Sequence, residues 1–189
     1  MLEFDDPWFR VGGETLNGQM ESSVLAAEGD WIWWCSMSAY SAGKVEELLG
    51  THCEIVDFGD ESGAVDDEWV KRAEQRLGLV LPASYKWFLR RYAGGEIGGE
   101  EIYSLYGMDF DAVNGGDIVH QHLVGLRNGL VDDQSLVVSE TDFGEVFFFD
   151  FSTYKDGECS IKVRIPSGES LHYAGSFYEF LCKRILAHV

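Results

Sequence analysis

From Asp66 onward the apolar residues recur at helical spacing twice in quick succession. Trp69, Ala73 and Leu77 follow Asp66-Asp67 at four-residue steps and end at Gly78, which predicts an amphipathic helix with an acidic start and a glycine stop. Leu81-Pro82 opens a second helix, since proline is tolerated where the first N–H groups lack intrahelical partners. On it Tyr85, Phe88, Leu89 and Tyr92 fall at i, i+3, i+4 and i+7, and Gly94-Gly95 stops it. Glu101–Tyr106 alternates well enough for a strand. Asp117 caps a third helix carrying Val119, Leu123 and Leu126 and closed by Gly129.

The period then changes from helix to strand. Ser135–Glu140 and Glu145–Phe151 flank Thr141-Asp142-Phe143-Gly144, the pattern of a hairpin. Phe147, Phe149 and Phe151 share one face while Val146 and Phe148 occupy the other, so this strand is expected to be central. After an Asp156-Gly157 turn, Ile161, Val163 and Ile165 alternate with Ser160, Lys162 and Arg164. Ser176 and Glu179 have capping-box spacing, and Phe177, Phe180, Leu181 and Ile185 make a closing helical stripe. Clustered strands with flanking helices predict an α+β fold and not a βαβ repeat.

Residues 1–65 have a weaker pattern. Ser22–Ala27 and Trp31–Ser36 read as paired strands across Glu28-Gly29-Asp30, Lys44–Leu49 as a helix, Glu54–Phe58 as a strand and Asp60–Val65 as a junction. Residues 1–64 are therefore expected to form an extension, a small α/β unit packed on a domain of residues 65–189. Trp31, Trp33 and Trp34 are the densest tryptophan cluster. Residue preference favours burial for them, and an interface anchor is the sharper alternative.

Composition changes the picture mainly through charge. Fourteen Lys and Arg stand against thirty-three Asp and Glu, a formal charge of −19. Such a surface repels nucleic acid and anionic membrane, and a basic macromolecule is its natural complement. No apolar run is long enough to span a bilayer, and the early acids are unlike a secretory signal. Cys35, Cys53, Cys159 and Cys182 are scattered without a CxxC pair, which fits reduced thiols in the cytoplasm.

Candidate chemistry is sparse. On a helix His120 and His122 diverge by about 200° and cannot share an ion. His52-Cys53 beside a strand reads as packing. Asp109/Asp111 and Glu140/Asp142 are spaced to face one way on a strand, as a metal-bound carboxylate pair would, yet no Lys or His completes a pattern. The expectation is no catalytic residue, no metal and no cofactor: a binding protein and not an enzyme.

The stretch VDDEWVKRAEQRLGLVLPASYKWFLRRYAGG, residues 65–95, resembles the entry motif of the SUKH superfamily, a group named partly for a yeast regulator of cell-wall synthesis. The matching positions are Glu74, Leu77-Gly78, Leu81-Pro82, Tyr85, Phe88-Leu89 and Ala93-Gly94-Gly95, with Ala93 in place of the family's Asn. Gly144-Glu145, Asp156-Gly157-Glu158 and Ser176-Phe177 through Phe180-Leu181 follow the family's order, so the likeness covers roughly residues 65–185. It implies a mostly antiparallel sheet flanked by helices. It also implies an immunity protein that neutralises a cognate toxin delivered between competing bacteria, a nuclease with a basic cleft being the partner that the charge suggests. A regulatory or scaffolding module of the same fold is the alternative.

The charge is unevenly placed. Residues 1–65 hold thirteen acids and two basic residues, and residues 96–150 hold twelve acids and only Arg127. Residues 66–95 and 151–189 are nearly balanced. The expected partner-binding face is accordingly Glu96, Glu100, Glu101, Asp109 and Asp111.

Overall fold

Short polar side chains start the helices where the sequence places them. Asp66 accepts from the N–H groups of Glu68 and Trp69, both at 3.0 Å, and Asp117 from those of Val119 and His120, also at 3.0 Å. Ser176 accepts from Glu179 at 3.3 Å. At the other end of the first of these helices, Gly78 takes the left-handed conformation with φ +69° and donates to the Glu74 carbonyl.

The computed structural model describes residues 40–113 and 115–189. The expected strands Ser22–Ala27 and Trp31–Ser36, with Trp31, Trp33 and Trp34, lie outside these residues. In chain order the elements are α1 (Ala42–Thr51), β1 (Val56–Phe58), a 3-10 turn (Glu61–Gly63), α2 (Asp67–Leu77), α3 (Ala83–Tyr92), β2 (Gly95–Ile97), β3 (Glu100–Ile102), α4 (Ile118–Arg127), β4 (Ser135–Glu140), β5 (Val146–Lys155), β6 (Glu158–Arg164), β7 (Ser170–Ala174) and α5 (Phe177–Ala187). The fold is α+β. Its seven strands form one antiparallel sheet in the order β1 to β7, so every strand pairs with its neighbour in sequence. The helix and strand within residues 42–58 belong to this assembly: β1 pairs with β2, and α1 packs against α5.

The core is aromatic. Tyr85 and Phe88 of α3, Phe149 of β5 and Phe177 of α5 are fully buried; Tyr85 and Phe88 stack at 6.3 Å, and their contacts with Phe149 and Phe177, and that between Phe149 and Phe177, are edge to face or tilted at 5.0–5.7 Å. The buried Tyr85 hydroxyl donates to the Tyr103 carbonyl at 2.7 Å. Central β5 turns Phe147 and Phe149 into this core, as alternation predicts, while Phe148 pairs with Val137 on the other face.

Two carboxylates hold the helix pair in place. Glu74 of α2 accepts from the Leu81 N–H at 3.0 Å and from Lys86 Nζ at 3.1 Å, bridging the α2–α3 connection. Pro82 offers α3 no side-chain cap, and Glu158 of β6 supplies one: it accepts from the Ser84 N–H at 2.7 Å and the Ser84 hydroxyl at 2.5 Å. The Ser84 oxygen in turn accepts from the Phe177 N–H at 3.2 Å, which joins α3, β6 and α5.

The structure departs from the sequence reading in three places. The strand expected at Glu101–Tyr106 is the shorter β3, and β2 precedes it in a tight hairpin. Here Gly95 has φ +144°, and a Cβ would come within 2.6 Å of the Phe58 Cα, so only glycine lets β1 approach. β7 is the second strand without a sequence signal. On α4 the buried residues are Ile118, Val119, His122 and Gly125, while Leu126 is 39% exposed. The helix is rotated toward Gly125, where a Cβ would lie 2.8 Å from the Val131 side chain: close approach of the following segment selects the face.

Candidate functional site

β1, β2 and β3 are three residues long, and the middle residue of each is an acid: Asp57, Glu96 and Glu101. Register sets Asp57 opposite Glu96 and Glu96 opposite Glu101. Val56, Phe58, Ile97 and Ile102 beside them pack on the core, so strand alternation turns the three acids the other way, and all three are exposed. Directly opposite residues in such a ladder have Cβ atoms about 4.5–5.5 Å apart, where like charges repel. Among the described residues, no Lys, Arg or His nitrogen lies within 4.0 Å of these carboxylates. The row is held by its flanks and not by its own interactions.

Glu101 is fixed most firmly. Its carboxylate accepts from the Tyr106 hydroxyl at 2.7 Å, and the Tyr106 oxygen accepts from the Gly116 N–H at 2.9 Å. The carboxylate also rests against Gly116, where a Cβ would collide with it. The Tyr106 N–H is anchored by Asp117 at 3.1 Å. Burial, followed by the hydrogen bond to Glu101, pushes the Tyr106 hydroxyl up to about 12. Burial, followed by Glu140 and Glu101, pushes Tyr103 up to about 12. Both tyrosines therefore remain neutral at physiological pH, and Glu140 shares the field of the row.

Of the residues that sequence suggested, Glu96 and Glu101 stand side by side here and Asp57 extends them. Glu100 does not join them. It lies on the opposite face of β3, its side chain 13% exposed, paired with Arg184 of α5 and 3.5 Å from His188 Nε2. Arg184 also lies over the Phe147 ring at 4.8 Å, so this carboxylate secures α5 to the sheet. Asp109 and Asp111 belong to the connection between β3 and α4. Asp109 accepts from the Asp111 N–H at 3.0 Å, and Asp111 pairs with Arg76 at 2.8 Å. Both are exposed, but neither is on a strand, and the same holds for Asp142, in the hairpin turn beyond Glu140. The alternation Val56-Asp57-Phe58 was the available signal for Asp57; its pairing with Glu96 crosses two helices and has no local trace.

The histidines lie apart. His120 and His122 are on α4 as expected, and His122 is 2% exposed with Nδ1 unpartnered. Burial holds its pKa below the usual histidine range. Among the described residues, no three His, Cys, Asp or Glu gather in an arrangement that could hold a metal ion, and no helix is long and apolar enough to cross a membrane. What the exposed row offers chemically is a line of acceptors for ammonium and guanidinium groups, flanked by neutral tyrosines. A SUKH-type family model, described as SMI1-KNR4 cell-wall, matches residues 67–181, from the first residue of α2 into α5.

Proposed function

Because the chain belongs to the SUKH superfamily, in its SMI1-KNR4 cell-wall family, we propose that it is a protein-binding immunity module that holds and neutralises a cognate toxin with a basic surface. A nuclease with a basic substrate cleft is the toxin class that the charge favours, since a line of carboxylates presents acceptors where such a cleft expects phosphates. The observation that carries this reading is the Asp57–Glu96–Glu101 row, three exposed acids set side by side by strand register. Four of the six Lys and Arg residues of α2 and α3 already have acidic partners. Arg76, Lys86, Arg90 and Arg91 are engaged with Asp111, Glu74, Asp67 and Glu61. The row therefore adds its field to a net charge of −19, which speeds association with a cationic partner by about 10- to 1000-fold.

The test is whether a toxin gene lies immediately upstream of this chain's own gene, and whether the chain binds its product and protects cells from it. Co-expression is expected to rescue growth. Glu96→Lys with Glu101→Lys is expected to slow association at least about 10-fold at low salt, an effect that fades as salt rises. An isolated protein that neither protects nor binds defeats the reading. Loss of the gene producing a defect in single culture, with no competition defect, identifies a regulatory or scaffolding module instead.

A further inference from the structure

We infer that Phe143, at the tip of the β4–β5 hairpin, is an aromatic anchor that enters an apolar pocket rimmed by Lys or Arg on the partner protein. The inference rests on the protein-binding reading above and supplies what a carboxylate row lacks. Charges set approach and register, but residence depends on a desolvated anchor, and aromatic residues are the usual ones.

Phe143 is 84% exposed, more than any other large hydrophobic side chain among the described residues. Scattered apolar residues on a surface are ordinary, and exposure alone would say nothing. What sets this one apart is its mounting. The buried Thr141 donates its N–H to the Glu145 carbonyl at 2.9 Å, and its hydroxyl accepts from the Glu145 N–H at 3.2 Å. The Gly144 N–H closes back on the Thr141 carbonyl at 2.9 Å, and a Cβ on Gly144, with φ +81°, would touch Pro166 at 3.6 Å. The turn is thus closed by three hydrogen bonds and lies beside the β6–β7 connection, so presenting the ring costs a partner little backbone ordering.

The surroundings select the chemistry of the pocket. Glu140 and Asp142 are exposed and Glu145 half-buried, and no cation lies within 4.0 Å of these carboxylates among the described residues. An apolar pocket with a neutral or acidic rim would desolvate these charges without compensation; a cationic rim pairs them. Glu140, at the base of the turn, also acts on Tyr103 together with Glu101 of the carboxylate row.

A small host with this chemistry tests the inference on the whole protein. Heptakis(6-amino)-β-cyclodextrin is an apolar cavity with an ammonium rim, and unmodified β-cyclodextrin is its neutral counterpart. In amide-resolved NMR titrations, the cationic host is expected to perturb Asp142–Gly144 first and to bind at least about 5-fold tighter than the neutral host at low salt, the preference vanishing at about 0.5 M salt. Phe143→Ser is expected to abolish both titrations at the tip. Glu140→Gln with Asp142→Asn is expected to remove the preference and keep the neutral host. Shifts centred on another residue, survival in Phe143→Ser, or equal binding of the two hosts at low salt would overturn the inference. These outcomes are independent of the Glu96 and Glu101 variants, so the carboxylate row can stand where the anchor fails.

Discussion

Ala93 closes α3 with φ +61°, a left-handed conformation that an L side chain adopts at a cost. The family's Asn at this position now has a physical reason: asparagine adopts that conformation at less cost than alanine. Replacement by Asn or Gly is expected to stabilise the protein by about 0.5–1 kcal/mol, raising the melting temperature by about 1–4 °C. A lowered melting temperature for both variants would show that the Ala93 methyl contributes packing worth more than the strain. His122 makes the opposite kind of prediction. Burial holds its pKa below that of the unfolded chain, so the unfolded state binds the proton more readily. Stability from this residue is complete above the unfolded value of about 6.5 and declines as pH falls toward the folded value. Urea denaturation between pH 7.5 and 5.5 should show this loss, and His122→Leu should flatten it. An unchanged slope in the variant would place the acid sensitivity elsewhere.

At the level of elements, α3 is the part whose position depends most on distant chain. Its Ser84 N–H is capped by Glu158, seventy-four residues on, and the Ser84 hydroxyl oxygen accepts from the Phe177 N–H at the start of α5. Glu158→Ala is expected to cost about 1–2 kcal/mol in chemical denaturation, as the loss of a helix cap does. Combined with Ser84→Ala it should cost less than the sum of the two, because both remove one network. Strict additivity would show the two residues acting separately. The elements read well from sequence share one property. α2, α3, α5, β5 and β6 each repeat an apolar period over enough residues to be distinguished from chance, and β4 is a short apolar run beside the hairpin turn, read residue for residue as Ser135–Glu140. β2, β3 and β7 do not. Two are only three residues long, rich in Glu and Gly, and β7 exposes most of its side chains. Such segments are strands because neighbouring strands pair with them.

For the whole molecule, the proposed partner-binding role of the acidic row would set function against stability. Neutralising Glu96, which has a like charge on either side, is expected to stabilise the isolated protein by about 0.5–1 kcal/mol at low salt. Calorimetry at about 20 mM and 500 mM salt should show the gain at the lower concentration only. The same Glu96→Gln change should weaken partner association, and a variant that lost both stability and binding would instead mark Glu96 as a structural residue. Local sequence was enough to determine the α+β class, the capped helices, the aromatic stripes and the acidity of residues 96–150, because periodicity, caps and charge are properties of neighbours along the chain. It could not separate Glu100 from Glu101. One pairs with Arg184 beneath the sheet and the other stands exposed beside Glu96, and strand alternation sorts them only once β3 exists. Nor could it place Asp57 in the row, since Asp57 meets Glu96 across two intervening helices. A charge acts through space, and only the assembled sheet decides which charges are neighbours.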